Sequence, residues 1–322
     1  MAFVKPEKKK EGVKILAYGD SGSGKTPFGL SFPNIGHVDS DSGTTFYNKD
    51  NVVVTTNTLS LKELHEEIED VERESELFDS IDTFTVDSIT RLHENQEHAA
   101  LKVVEQRAMQ SNRLVEGEGI SVKERGIIKL HYEKFFGRML ELAKQGKNLV
   151  FIAEKKDKNE NKKDAIGNQI TVKVGEMPNM QKNAEYDFDV VIKTFIKDGE
   201  SHGLVEKDRT GTFKPGEVIY KPNYTHWAEA IAQAQSGRQR KKEEIKKFDA
   251  AIDKEAEHHS ISSGDRIGQI ILEIENIINS HTVNKQKEIA DEFTKQFSTI
   301  KFKEIKDLDK LQKMLIVAKK VS

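Results

Sequence analysis

Short apolar runs alternate with amphipathic stretches along the first two-thirds of the chain, and the period of each run predicts its element. Val13-Lys14-Ile15-Leu16-Ala17-Tyr18 reads as a buried strand, and Ile35-Gly36-His37-Val38 as a second, short one that runs into acids and glycine. A helical stretch from about Leu59 to Glu76 leads into Asp82-Thr83-Phe84-Thr85-Val86-Asp87, β-branched and aromatic and ending in an acid. An amphipathic helix from about Leu130 to Lys144, closed by Gly146, precedes the continuous apolar run Asn148-Leu149-Val150-Phe151-Ile152-Ala153. Phe188 to Phe195 and Gly203 to Lys207 read as two strands joined by a Lys-Asp-Gly-Glu turn, a hairpin signal. Strands of this kind, apolar on both faces and separated by helices, predict an α/β fold around a mostly parallel central sheet.

The pattern changes past residue 227. Residues 228–263 are charge-laced, with Glu243 and Lys247 at helical spacing and a thin stripe at Ile245, Phe248 and Ile252, which predicts a charged helical linker. Ser260 to Gly264 is a break, and His258-His259 beside it are adjacent residues that cannot face one ligand from a helix. Three helical stripes follow: Ile267, Ile270, Ile271, Ile274, Ile277 and Ile278; then Ile289, Phe293 and Phe297; then Ile305, Leu308, Leu311 and Leu315. The expected division is therefore 1–227, the α/β domain; 228–263, the linker; and 264–322, a small helical bundle. A bundle this short has a marginal core, so an interaction or oligomerisation role is expected for it.

With 322 residues, 36% hydrophobic and 33% charged, the chain describes a heavily solvated protein and has no apolar run of membrane-spanning length. Residues 1–11 are lysine-rich and lack an apolar core, so no secretory signal is expected. The absence of cysteine removes disulfides, thiolate metal sites and cysteine nucleophiles together and fits a reducing cytoplasm. A formal charge of −3 argues against a basic coat, so any nucleic-acid contact must come from a local patch.

The chemistry starts at the first strand. Gly19-Asp20-Ser21-Gly22-Ser23-Gly24-Lys25-Thr26 satisfies every position of the phosphate-binding loop G-x-x-x-x-G-K-[ST], with a strand before it and Pro27 opening a helix behind it. In that context the backbone amides form a nest for a β-phosphate, Lys25 reaches the β and γ oxygens, and the Thr26 hydroxyl ligates magnesium. Asp87, at the tip of its strand, has the Walker B pattern and is the second magnesium-facing group, with Ser88 beside it. Asp39 and Asp41 end another strand expected next to the phosphate loop; Asp41 is preferred as the water-activating acid and Asp39 as a supporting or magnesium-facing one. Glu154 ends the strand that begins at Asn148 and is a candidate relay for the γ-phosphate.

Lys155, Lys156, Lys158, Lys162 and Lys163 follow in a long polar stretch, read either as a mobile basic loop tracking a phosphate backbone or as a solvated surface loop. Lys207 and Arg209, two apart on a late strand, project from one face and could stabilise transition-state charge at a neighbouring subunit's γ-phosphate, or be ordinary surface cations.

Taken in order, the Walker A loop, the strand tipped by Asp39 and Asp41, Asp87-Ser88, Glu154 with its lysines, and the terminal Lys207-x-Arg209 resemble the RecA-like ATPase core. More narrowly, the order looks like that of the compact phage-encoded ATPases of the Sak-four type, over about Val13 to Tyr220. That resemblance implies an α/β RecA-like core with a C-terminal helical extension, and ATP and Mg2+ as cofactors. It also implies Asp41 as catalytic acid, and the 155–177 stretch as the place where recombinases contact DNA. It further implies a cytoplasmic homo-oligomer that acts on single-stranded DNA, by annealing or strand exchange, with a single-strand-binding or replication protein at the C-terminal helices. A RecA-fold helicase or helicase loader, and an ATP-gated binding module with little hydrolysis, share the same residues. The acid here is aspartate where recombinases usually carry glutamate, and no N-terminal helix is long enough for a recombinase-style polymerisation domain.

Overall fold

The computed structural model describes residues 7–111, 119–163, 168–241, 244–245, 250–253, 255, 265–305 and 307–321. Glu243, Lys247, Phe248, the His258-His259 pair and the break at 260–264 lie outside these, as does the Leu308 side chain. The chain divides into two compact units, Met1–Phe248 and Asp249–Ser322.

The first unit is built on a nine-stranded sheet. Its strands are β1 (Lys14–Gly19), β2 (Ile35–Asp39), β3 (Val52–Thr56), β4 (Thr83–Asp87), β5 (Asn148–Lys163), β6 (Gln169–Pro178), β7 (Val190–Lys197), β8 (Glu200–Asp208) and β9 (Val218–Tyr220). They run in the order β3-β2-β4-β5-β1-β7-β8-β9, with β6 attached to β5 alone. The strands from β3 across to β7 are mutually parallel, and β7-β8-β9 is an antiparallel edge. The hairpin signal corresponds to the β7–β8 turn, where Asp198 and Gly199 both have positive φ, as a two-residue turn of this hand requires. This is the expected α/β fold with a mostly parallel sheet.

Alternation along the strands feeds two apolar layers. Leu16, Tyr18, Phe84, Val86, Leu149 and Phe151 face helices α2 (Leu61–Arg73), α4 (Ile89–Gln110) and α5 (Val122–Lys144), which bury Leu64, Ile68, Leu92, Tyr132, Phe136 and Leu142 there. Ile15, Ala17, Ile35, Val150, Val190, Ile192 and Val205 face the opposite layer, with Phe28 of α1 (Lys25–Gly29) and Ile231 of α6 (Ala228–Gln235). Trp227 is fully buried in that second layer. Its ring meets Phe28 and Phe213 edge to face, and its Nε1 donates to Asp208 Oδ2 at 3.0 Å. Trp227→Ala removes the largest side chain of the layer and one of the two donors to Asp208 Oδ2, the Phe213 amide remaining, so a loss of about 3–5 kcal/mol in denaturant unfolding is expected; a change under 1 kcal/mol would mean that α6 does not hold the sheet's second face.

Several boundaries differ from those the sequence suggests. The charged linker does not start at 228: Ile231 is buried in the layer of Trp227, because the i,i+4 spacing of a helix carries this apolar position under the sheet despite polar neighbours. The helix expected over 59–76 is α2 plus a separate turn, α3 (Ser75–Ser80). Strand β3, helix α4 and strand β9 had no predicted counterpart, since β3 and β9 are half-exposed edges and α4 carries charge on all but one narrow face.

The lysine stretch is not a loop. β5 continues past Glu154 and pairs antiparallel with β6 through Lys163↔Gln169, forming a two-stranded ribbon. Direct cross-strand partners share a face. By register Lys156, Lys158 and Lys162 lie on one face with Met177, Val172 and Ile170, while Lys155 and Asp157 lie on the other with Glu176.

The second unit packs helices Asp265–Asn279, Val283–Phe297 and Leu308–Val321 around Ile270, Ile274, Ile289, Phe293, Leu311, Met314, Val317 and Ala318. In the last helix the deepest row is Leu311, Met314 and Ala318 rather than Leu311 and Leu315; Leu315 is only partly buried. Among the described residues no helix is long and apolar enough to cross a membrane.

Candidate functional site: a phosphate loop closed by an acidic shelf

The glycine loop leaves the C-terminal end of β1 and turns directly into α1. Two glycines in it are conformationally required: Gly22 and Gly24 have φ of 72° and 96°, where a side chain is strained. A Cβ on Gly24 would also lie 2.2 Å from Ser201 Oγ. The β7–β8 hairpin is the wall behind the loop. Ser201 Oγ donates to the Ser23 carbonyl at 2.8 Å, Ser23 Oγ and Thr194 Oγ1 are 2.6 Å apart, and Ser23 Oγ reaches the Asp20 carbonyl at 2.7 Å. Thr194, in the middle of β7, and Ser201, near the start of β8, carry no sequence signal beyond a hydroxyl on each strand of the hairpin. α1 is a five-residue helix, so the anion site rests on the turned amides of the loop more than on a helix dipole. Pro27 sits in its first turn, where no intrahelical donor is missed.

Lys25 Nζ donates to the carbonyls of Gly19 and Asp20, at 3.1 and 2.6 Å. Burial pulls its pKa below the ordinary lysine value, although Asp87, Glu154, Asp20 and Asp41 all act to raise it. All four carboxylates are close enough for their charge to act on this ammonium, and the Asp20 carboxylate itself pairs with Lys155 at 2.8 Å. Thr26 Oγ1 donates to Asp87 Oδ2 at 2.6 Å. The pair joins the loop to Walker B across β5: the strand order puts β5 between β1 and β4, so neither Asp87 nor Asp39 lies on a strand next to the loop, as the sequence suggested. Inserting β5 also adds its own tip, Glu154, to the shelf, in register with Gly19.

Asp87 is 3% exposed, and its pKa is pushed up to about 6 by burial, with Asp41 and Asp39 adding to the rise and the Thr26 hydrogen bond and Lys25 opposing it. Asp39 lies directly beside it in the sheet (Asp39↔Asp87). Asp39 Oδ2 accepts from the Thr44 hydroxyl, and its Oδ1 is buried without a hydrogen-bond partner. Asp41, two residues on, is exposed, and its Oδ1 accepts from the Gly43 amide at 2.9 Å. Ser40 clamps the two strand tips: its amide donates to the Asp87 carbonyl at 2.7 Å, and its hydroxyl accepts from Ser88 N and donates to Ser88 O, both at 2.8 Å. Beneath them His37, fully buried, places Nδ1 2.5 Å from Thr85 Oγ1. Burial lowers its pKa and keeps the ring neutral. A magnesium ion fits this donor set: a threonine hydroxyl, a buried carboxylate whose charge is disfavoured without a cation, and an unpartnered acid oxygen beside it.

Other sequence-predicted residues fall elsewhere. Lys155 is not exposed for an outside ligand: its Nζ is 2.8 Å from Asp20 Oδ2 of the phosphate loop and 2.8 Å from Glu176 Oε1, and Lys193 holds the other Glu176 oxygen at 2.6 Å. The two lysines hold the Glu176 carboxyl down to about 2. Lys207 and Arg209 lie at the end of the sheet opposite the phosphate loop. β8 runs antiparallel, so Asp208 pairs with Val190 at the start of β7, and the Arg209 amide donates to Asp189. Lys207 Nζ is spent on the carbonyls of Glu185 and Tyr186, at 3.3 and 3.0 Å.

Loop, Walker B acid and intervening strand together define a P-loop nucleotide-binding domain on a mostly parallel α/β core. The particular family follows from the sequence match: residues 11–221, about two-thirds of the chain, match the model of an AAA domain (AAA_24), and the chain belongs to that family. Among solved structures it is similar to the flagellar accessory protein FlaH of Methanocaldococcus jannaschii, at 12% identity over 66% of this chain and 85% of that one, with a TM-score of 0.32. No curated protein matches it.

Proposed function

We propose that this protein binds and hydrolyses ATP with magnesium and couples that cycle to single-stranded DNA, as an oligomeric annealing or strand-exchange protein of the phage Sak-four kind. The observation that carries the nucleotide half is the 2.6 Å contact between Thr26 and Asp87, which brings Walker A and Walker B together across β5. When bound, magnesium supplies charge neutralisation at the transferring phosphoryl group. With nucleotide and metal bound, Lys25 would exchange its two loop carbonyls for phosphate oxygens, Thr26 and Asp87 would hold the metal, and Asp41, at the open side of the shelf, would accept the proton of the attacking water.

The DNA half is supported by the ribbon, which starts one residue beyond Glu154 and carries Lys156, Lys158 and Lys162 on one face beside Ile170, Val172 and Met177. Alternate residues on a strand are roughly 6.6 Å apart, the spacing of Lys156 and Lys158, at which each ammonium can take a separate phosphate of an extended strand. Lys162 lies two such positions further on, beyond Glu160 of the same face, whose carboxylate is 3.9 Å from it and would have to be displaced by a phosphate. Lys163 falls on the other face, and Lys155 is engaged with the loop. The C-terminal helices are assigned to docking a single-strand-binding or replication protein, or a second subunit.

The test is ATPase rate with and without single-stranded DNA, together with DNA affinity across salt. Stimulation by DNA is expected. Replacing Lys156, Lys158 and Lys162 by Ala should flatten the log–log salt slope by up to about 2, near 0.7 per contact, equally for all sequences. An unchanged slope removes the ribbon from the interface; directional unwinding would favour a helicase, and ATP binding with negligible turnover a gated binding module.

A further inference from the structure

The RecA-like resemblance looked for a cation at the γ-phosphate in a neighbouring subunit, and Lys207 and Arg209 point away from this chain's own loop. A different arginine stands at the shelf. Arg91 lies in the first turn of α4, four residues after Asp87, so the strand end that positions the Walker B acid also positions it. Its Nη2 is 3.5 Å from Glu154 Oε1 and its Nη1 is 3.2 Å from Glu94. Glu154 is held on its other side by backbone: its amide donates to Thr90 Oγ1 at 2.9 Å, and its carbonyl accepts from Asn179 N at 2.7 Å. Along β5 it alternates onto the face of Ile152, which is the α1 side of the sheet where Lys25 stands. The Glu154 carboxylate is therefore within ion-pair range of the Arg91 guanidinium and on the sheet face that carries Lys25, whose charge it favours. Half of the Arg91 side chain is exposed, and both its partners are surface acids, so nothing in the packing prevents it from swinging.

We propose that Arg91 is the γ-phosphate-reading residue of the chain's own site, with Glu154 holding the guanidinium in the place from which it meets a third phosphate. The inference rests on the ATP reading above. A planar guanidinium offers two parallel donors to a terminal phosphate, which the single ammonium of a lysine does not, and a group reaching only the third phosphate distinguishes triphosphate from diphosphate.

Calorimetric affinities for a non-hydrolysable ATP analogue and for ADP, both with magnesium, test this in wild type, Arg91→Ala, Arg91→Lys and Glu154→Gln, with turnover measured alongside. Arg91→Ala should weaken the triphosphate roughly 10- to 100-fold and leave ADP unchanged, so that the preference between the two collapses. Arg91→Lys should regain part of the affinity and little of the turnover. Glu154→Gln, which loosens the hold on the guanidinium, should weaken the triphosphate less than Arg91→Ala does and also leave ADP unchanged; the unchanged ADP affinity of Arg91→Ala itself excludes a folding defect as the cause of its loss. Equal losses for ATP and ADP in Arg91→Ala, or no loss for either, would overturn the proposal and leave Arg91 as a partner of Glu94. A wild-type protein that binds neither nucleotide would overturn the ATP reading itself, and this inference with it.

Discussion

Lys25→Ala yields a folded protein that has lost productive ATP binding. The ammonium is the one cation inside the glycine loop, and its two present acceptors, the carbonyls of Gly19 and Asp20, belong to the loop itself. Losing its charge-assisted contacts to two phosphates removes about 3 kcal/mol, or roughly a hundredfold in affinity. The fold does not depend on it. Burial lowers the Lys25 pKa, so the folded state disfavours its charge, and Ser23 still holds the Asp20 carbonyl when the ammonium is gone. Thermal unfolding should therefore occur at or slightly above the wild-type temperature while titration with ATP shows no saturable site. A folded variant with wild-type affinity and turnover would remove the phosphate-loop assignment.

Asp87→Asn separates the catalytic cost of that carboxylate from its stability cost. Asn keeps an oxygen for Thr26 but no charge for magnesium, so hydrolysis should fall by at least two powers of ten, a metal's charge being worth several kcal/mol at a transferring phosphoryl group. Nucleotide should still bind. Stability moves the other way. Asp87 holds its proton up to about pH 6 in the folded chain and only to about 3.8 when exposed, so between these the folded state binds more protons than the unfolded one. Its contribution to stability therefore declines as pH rises through that window and is a fixed cost above it. At pH 7.5 without magnesium the Asn variant should be more stable by on the order of 2–3 kcal/mol, a difference that shrinks towards pH 4. Unfolding curves at the two pH values check the sign; a variant less stable at pH 7.5 would mean that the carboxylate is not isolated from solvent in the way the shelf requires.

The phosphate loop was legible because its chemistry is written in adjacent residues: Gly19 to Thr26 need only the strand before them and the turn after them to become a nest. Asp87 and Glu154 were legible for a related reason, each being the polar full stop of an apolar run, and the Asp198-Gly199 turn announced its hairpin by the two positive φ values it demands. The local pattern also determined the α/β class, since strands apolar on both faces can be satisfied only by layers on either side. Which strand stands next to which was not local. β5 separates the loop from Walker B, and that order decides that Thr26 meets Asp87 across Glu154 and that Arg91 reaches the same acid.

Direction and pairing decided the rest. The spacing of Lys207 and Arg209 puts them on one face, and the antiparallel course of β8 sets them at the end of the sheet away from this chain's own loop. The five lysines after Glu154 are alike in sequence; pairing with β6 sorts them, committing Lys155 to Asp20 and Glu176 and leaving Lys156, Lys158 and Lys162 on a common face with Glu160. Thr194, Ser201 and Ser40 carry no motif, because a hydroxyl is unremarkable until folding brings it against a glycine loop or between two strand tips. The sequence by itself determined the residues able to hold a nucleotide, since that capacity lies in contiguous backbone and one fixed cation. The tertiary structure alone decided which distant acids and cations surround it, because strand order and direction, not spacing along the chain, set the distances over which charges act.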